Sequence, residues 1–281
     1  MILKIGNHIN IQINNLELLM NIKLFVAAHK SYQMPLDPIY TPLHVGAQGK
    51  DSIPGFTPDN TGDNISSKNP YYCELTGLYW AWKNVDADYI GLCHYRRYFS
   101  LAKHIPKSED QKFKLVLNTE ETQKLLSKAD VILPKKRNYY IETIYNHYKH
   151  TMYIEPFDIA GKVIAQKYPE YVNEFEHLKH TTKMHAFNMF IMKKDILDRY
   201  CTWLFDILGE VEKQVDTSQY SDFHKRFFGR ISERLLDVWI KTNKISYTEI
   251  PVIDMQNINW GNKIKSFLVA KFTGKRYEKS F

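Results

Sequence analysis

The stretch NPYYCELTGLYWAWKNVDADYIGLCHYRRYF, residues 69–99, decides how the chain is read. Asn69 and Pro70 form a helix start, an Asn N-cap followed by proline at the first helical position, where its missing N–H is no loss. Leu75, Leu78, Tyr79 and Trp82 recur at i, i+3, i+4 and i+7, an apolar stripe for one helix face. The spacing predicts a helix ending near Asn84 and, directly after it, a strand from Tyr89 to Cys93. That strand carries no charge, the habit of strands covered on both faces in a parallel sheet. It ends in His94, Tyr95, Arg96 and Arg97. Folding alone does not call for such chemistry there, and open α/β sheets bind ligands at the carboxyl ends of their strands.

Working outward, the same pattern repeats. Ile22 to Ala28, apolar except for Lys23, ends in His29 and Lys30, and Val131 to Leu133 is followed by Lys135, Lys136 and Arg137. Residues 32–69 are rich in Pro, Gly, Asp and Asn and read as a long functional loop region with a short strand around Leu43 to Val45. Residues 139–179 are aromatic and helical in pattern. Ala186 to Met192 reads as a further strand, and Ser232 as the N-cap of a helix that turns Leu235, Leu236, Trp239 and Ile240 inward. The fold class expected is α/β, a mostly parallel central sheet flanked by helices. The chain divides into a leading segment (1–21), a first part (22–138), a more helical second part (139–261) and a basic tail (262–281), all in one domain.

Composition narrows the function classes. Of 281 residues 44% are hydrophobic and 25% charged, ordinary for a globular protein that buries one sizeable core. Lys and Arg outnumber Asp and Glu by 38 to 31, a formal charge of +7, which favours anionic partners. Cys73, Cys93 and Cys201 are widely spaced, without CxxC or a zinc-type cluster, and read as reduced core residues. The first 30 residues lack the apolar h-region of a signal peptide, and no stretch reaches the ~20 apolar residues of a membrane span. A cytoplasmic location is expected, and contact with a membrane surface stays open: the tail NKIKSFLVAKFTGKRYEKSF could lie on an anionic surface or pack on its own domain.

If the sheet is parallel, the three basic turns meet at one edge and form a cationic pocket. Arg grips phosphate oxygens bidentately and stays charged at any working pH, so a diphosphate suits Arg96 and Arg97. The plainer explanation for either arginine is an ion pair. A literal D-x-D, Asp86 to Asp88, precedes its strand and so falls at the opposite edge; it reads as a helix-to-strand turn, and no metal ligands are assigned. The Arg and His charges would then stand in for a cation on the leaving diphosphate. An Mn²⁺ or Mg²⁺ ion held by one protein ligand and the diphosphate would leave no motif, so metal dependence stays open, with the reading that none is required.

ELTGLYWAWKN running into GLCHYRRYF resembles a bacterial family of capsule, exopolysaccharide and O-antigen glycosyltransferases, some of them galactofuranosyltransferases. The resemblance implies a GT-A-like fold with a helical acceptor side. It also implies a UDP-sugar donor, a hexosyl group that in some members is galactofuranosyl, and an undecaprenyl-linked or growing glycan as acceptor, with any membrane contact at the inner face of a bacterial plasma membrane. Carried onto this chain, Ala28, His29 and Lys30 meet uracil and ribose, while Gly46, Asn64, Lys68 and Tyr95 complete the donor site. His185 and Asn188 are the expected sugar contacts. For an inverting transfer a carboxylate takes the acceptor proton; Glu233, read as lying in the first turn of its helix, is the candidate base, beside His94, Arg96 and Arg97. A first-turn Glu also complements the helix dipole without any chemistry. Asp222 and Glu74 are reserves, Glu74 as a partner orienting His94 or Arg96. The competing class is a nucleic-acid or anionic-membrane binding protein. Against it, the chain has no helix-turn-helix, RNP-like or zinc signature, and its basic groups cluster at strand ends. Phosphoryl transfer lacks a GxxxxGK[ST] loop.

Overall fold

The computed structural model describes residues 20–256, so most of the leading segment and the whole basic tail lie outside the described residues. The strands are β1 (Ile22–Ala28), β2 (Tyr40–His44), β3 (Thr57–Pro58), β4 (Tyr89–His94), β5 (Arg97–Phe99), β6 (Val131–Pro134), β7 (Arg137–Asn138), β8 (Lys183–Met184), β9 (Phe190–Lys193), β10 (Thr248–Ile250) and β11 (Val252–Asp254). The helices are α1 (Asn69–Tyr72), α2 (Leu75–Asn84), α3 (Glu109–Phe113), α4 (Thr119–Leu126), α5 (Ile144–Thr151), α6 (Glu155–Lys167), α7 (Val172–His180), α8 (Lys194–Gln214), α9 (Asp222–Lys225) and α10 (Phe227–Thr242).

The main sheet runs in the order β10-β6-β9-β4-β1-β2-β3, with β5 pairing β4 and β11 pairing β5 at the side. Along that path only β9 is antiparallel to its neighbours β4 and β6; the other pairings are parallel. The carboxyl ends of β1, β2, β4, β6 and β10 therefore share one edge, and the segment entering β9 arrives at that same edge. This is the GT-A-like α/β class expected from the sequence.

The strand interiors show why the sheet is covered twice. In β1, Phe25 and Ala27 belong to one apolar cluster and Leu24 and Val26 to another, as the period-2 alternation of a strand requires. The larger cluster packs α2, α5 to α8 and α10 against the sheet, while the smaller places Tyr98, Phe99, Leu117, Leu126 and Ile253 on the opposite face. β7 and β8 form a separate two-stranded ribbon pairing Arg137 with Met184 and Asn138 with Lys183.

Three local expectations are corrected. The helix expected to run unbroken from Asn69 is interrupted at Cys73, whose φ is 55°. Asn69 does not cap the start: its Nδ2 donates to the Cys73 carbonyl (2.8 Å) and the Thr76 hydroxyl (3.1 Å), closing α1 from within. Leu75, Leu78 and Ala81 face the core, whereas Tyr79 and Trp82 are half-buried and pack on Phe205 of α8. The strand expected from Ala186 begins only at Phe190, because Phe187 and Asn188 hold φ values of 77° and 49°, outside the extended region. Ser232 lies inside α10, which starts at Phe227. The apolar face continues upstream of it through Phe227, Phe228 and Ile231, and burying that stripe outweighs the capping preference of a serine.

β9 fits between β4 and β6 because Gly91 has no side chain: a Cβ there would lie 2.7 Å from the Phe190 carbonyl oxygen and 2.7 Å from Leu24 Cδ1. Gly91→Ala is expected to lower stability by about 1–3 kcal/mol through overpacking against backbone, read as a lower urea midpoint at unchanged slope.

Candidate functional site

The edge is built around the turn after β4. His94 Nε2 lies 2.7 Å from the Phe187 carbonyl oxygen, and since a carbonyl only accepts, Nε2 carries the proton. Tyr95 stacks on Tyr32 from the loop after β1, ring centroids 3.7 Å apart, with His29 edge-on to Tyr95 at 5.5 Å. His29 is made less basic by partial burial and then by the positive charges of Lys30, Lys50, Arg96 and Arg226. Two of the three expected basic turns thus converge at His29, with Lys50 and Arg226 from two further segments.

The two arginines divide. Arg97 Nε is 3.3 Å from Asp254 Oδ2 of β11, and its guanidinium lies over the Phe187 ring at 4.3 Å. Burial lowers its basicity and Asp254 opposes that. It is the ion-pair partner that the plainer explanation anticipates. Arg96 sits over Tyr95 (5.4 Å), makes one long contact from Nη1 to Gln256 Oε1 (3.5 Å), and among the described residues has no carboxylate at ion-pair distance. Of these two arginines, Arg96 is the one whose charge is left available to a ligand.

Glu233 projects from the second turn of α10, so the helix dipole does not account for it. Its side chain is about a quarter exposed (24%). Burial raises its carboxyl above the ordinary range; Arg234 opposes the shift, Glu74 adds to it, and Arg230 and His94 oppose it. Glu74 is fixed by Asn188, whose Nδ2 donates to Glu74 Oε1 (2.7 Å) and to the Gly229 carbonyl of α10 (2.9 Å). The two carboxylates, His94 and the arginines of α10 therefore form one electrostatic unit.

The remaining expected residues are placed as follows. Ala28 is buried and offers its carbonyl to the Val45 N–H (3.0 Å). Lys30 is exposed at the end of β1. Gly46 has φ 67° and donates its N–H to Asp59 Oδ2 (2.8 Å); a Cβ there would fall 2.4 Å from the Asn69 side chain. Asn64 orders its own turn, Nδ2 to the Gly62 carbonyl and Oδ1 accepting from the Ser66 N–H. Lys68 is paired with Glu212 of α8 at 2.7 Å. Asn188 is buried at 2% exposure with both its known contacts inside the protein. His185 is fully buried, its Nδ1 2.6 Å from Asp237 and its Nε2 2.9 Å from Glu249, so it clamps the segment entering β9 to α10 and β10. Asp222 is exposed in α9, 3.7 Å from Lys225.

Several residues were not found from sequence. Asp59 is fully buried and accepts from the N–H groups of Gly46 and Ala47 and the hydroxyls of Thr76 (2.6 Å) and Ser66. It ties the loop after β2 to α2, and nothing in its local sequence distinguishes it. Tyr32 and Lys50 are likewise loop residues recruited by tertiary contact. Arg226 and Arg230 did carry a signal, two arginines one helical turn apart beside the apolar Phe227, Phe228 and Ile231. Asp88, by contrast, is occupied at the opposite edge, Oδ2 accepting from the Asn21 N–H (2.8 Å). Among the described residues no three His, Cys, Asp or Glu side chains stand together as metal ligands. A shallow hollow of about 410 Å³ floored by Trp203 and Trp239 contains none of these residues. No helix among the described residues is long and apolar enough to cross a membrane.

A mixed sheet with a cationic, carboxylate-bearing edge at the strand ends defines an α/β protein of the GT-A-like class. Residues 23–244 match the family described as a domain of unknown function (DUF4422), and the chain belongs to that family. It is similar to the apo structure of the WbbM bifunctional glycosyltransferase, with 32% identity and a TM-score of 0.77 over 84% of this chain. The match covers 46% of that protein, so the chain spans about half its length. No curated protein matches the chain.

Asp59→Ala leaves four donors without their shared acceptor. It is expected to lower stability by about 3 kcal/mol or more, measured by urea unfolding, because hydrogen bonds to a buried charge are the strong ones.

Proposed function

We propose that this chain is a glycosyltransferase that moves a hexosyl residue, with galactofuranosyl as the first donor to test, from a UDP-sugar to a lipid-linked or growing surface glycan. The observation that carries the reading is Glu233, a partly exposed carboxylate of raised pKa at a cationic edge where Arg96 has no carboxylate partner among the described residues. The similarity to WbbM over most of this chain supports the class of reaction.

The chemistry follows from those groups. The acceptor hydroxyl oxygen attacks the anomeric carbon while Glu233 takes its proton, and the bond from that carbon to the diphosphate oxygen breaks on the opposite face. The electron pair leaves with the diphosphate, whose charge Arg96 would meet together with Lys30, Lys50 and Arg226. Fixed cations in a partly dry site need little reorganisation when that charge develops. Tyr32, Tyr95 and His29 offer ring faces and edges where a nucleobase could stack. His94, held by the Phe187 carbonyl, and Asn188, holding Glu74, act as positioning residues.

UDP binding measured by calorimetry is expected to survive EDTA and to weaken about 10- to 100-fold in Arg96→Ala, the worth of a charge-assisted hydrogen bond. Absence of UDP binding to the wild type under any metal condition would overturn the reading.

Glu233→Gln is expected to keep UDP affinity and lose about 10²- to 10⁴-fold in transfer rate. A base works as its carboxylate, and this carboxyl is raised, so the wild-type rate should begin to fall on acidification above the ~4.3 of a free Glu. A pH–rate profile flat down to that value would remove Glu233 from the role.

A further inference from the structure

The ribbon β7–β8 carries a feature that the proposed chemistry does not use. Between β7 and α5 the chain presents Tyr140 and Ile141 side by side at 81% and 65% exposure, two of the few large apolar side chains so exposed among the described residues. The pair is held out by a built turn. Tyr139 N–H donates to the Thr182 carbonyl (2.8 Å), Tyr140 N–H to Asn138 Oδ1 (2.9 Å) and Ile141 N–H to the Tyr139 carbonyl (2.7 Å). Tyr140 has φ 56°, an unfavourable backbone for a bulky side chain that persists only where the surroundings impose it. The next residue, Glu142, is buried at 4% exposure and anchored to His150 Nδ1 at 2.7 Å. Two apolar side chains are thus displayed on a rooted tip instead of folding back onto the adjoining core.

The surroundings of the tip are cationic. Lys135 is exposed just before the ribbon, Arg137 and Lys183 lie on its two strands, and Lys149 is exposed on α5. The nearby carboxylates are engaged internally, Glu142 by His150 and Asp237 by His185. An aromatic and an aliphatic side chain projecting from a basic collar is the chemistry of a bilayer interface: the rings and methyls enter the headgroup boundary while the lysines and arginines meet anionic lipid. A protein partner would need no such separation of apolar tip and basic collar.

We infer that the 139–142 tip docks this protein on an anionic membrane surface, with Tyr140 and Ile141 inserted and Lys135, Arg137 and Lys183 against the headgroups. The ribbon roots at the functional edge: Met184 of β8 precedes His185, and the charge of Arg137 reaches Arg97. Docking by the tip therefore turns that edge towards the bilayer. This agrees with the proposed lipid-linked acceptor but does not rest on the identity of the donor.

The test uses the full chain with a single reporter. Tyr140→Cys is labelled with an environment-sensitive nitrobenzoxadiazole dye, selective because Cys73, Cys93 and Cys201 are buried. Vesicles of phosphatidylcholine with phosphatidylglycerol are expected to shift its emission to the blue, and phosphatidylcholine alone to leave it unchanged. In co-sedimentation, unlabelled Tyr140→Ser/Ile141→Ser is expected to partition about tenfold less than wild type, from the lost apolar burial. A dye that stays in water while the protein sediments with vesicles would assign the binding to another segment and overturn the inference. So would a double variant that binds as wild type, or no vesicle binding at all. UDP calorimetry separates this inference from the proposed function: the double variant is expected to bind UDP as wild type does, and lack of UDP binding to wild type would sink the proposed function and leave the vesicle result standing.

Discussion

The antiparallel pairing of β9 with β4 is the interaction on which the functional edge depends. All other strands on the main path of the sheet run one way, and Gly91, where a Cβ would lie 2.7 Å from the Phe190 carbonyl oxygen, lets β9 lie between β4 and β6. Because β9 runs backwards, the residues before it reach the carboxyl ends of the parallel strands. Phe187 then meets His94 and Arg97, and Asn188 meets Glu74. A parallel β9 would have delivered those side chains to the far edge.

Electrostatics at this edge is arranged by commitment and vacancy. Arg97 is committed to Asp254 and the Phe187 face, His185 to two carboxylates, and Lys68 to Glu212. These fix the frame. Arg96 is not so committed, and Glu233 is held in surroundings that disfavour its charge, which makes it a better proton acceptor than an ordinary surface carboxylate. On the β2 side, one buried carboxylate, Asp59, gathers donors from three segments and gives the long loop a fixed shape without any regular structure. Such loops carry function when a rigid scaffold positions them.

The same edge is also bounded by a ribbon that belongs to neither face of the sheet. Its basic strands and apolar tip extend the cationic character of the site outward, to where an anionic ligand or surface would approach. The helical second part therefore does more than cover the sheet: α5 anchors the tip through Glu142 and His150, and α10 supplies Arg230, Glu233 and Arg234.

What the sequence by itself determined was the set of buried strands and their polar ends. Runs such as Ile22 to Ala28, apolar but for Lys23, and Tyr89 to Cys93 have a local pattern that is enough to call a strand covered on both sides and to place His94 to Arg97 at the end of the second. The N-cap of α10 is Arg226, six residues before Ser232, because a serine offers only a local cap, whereas the helix start is set by burying Phe227, Phe228 and Ile231 against elements far away in the chain. The break at Cys73 and the left-handed turn at Phe187 and Asn188 escaped for the same reason: each is stabilised by a partner at long range, Asn188 by Glu74 for one. Only the tertiary structure decided which arginine is paired, that Asp59 organises the loop, and that Glu233 stands beyond the reach of the helix dipole. Hydrogen bonds and ion pairs join residues distant in sequence, and they leave no periodicity to be read.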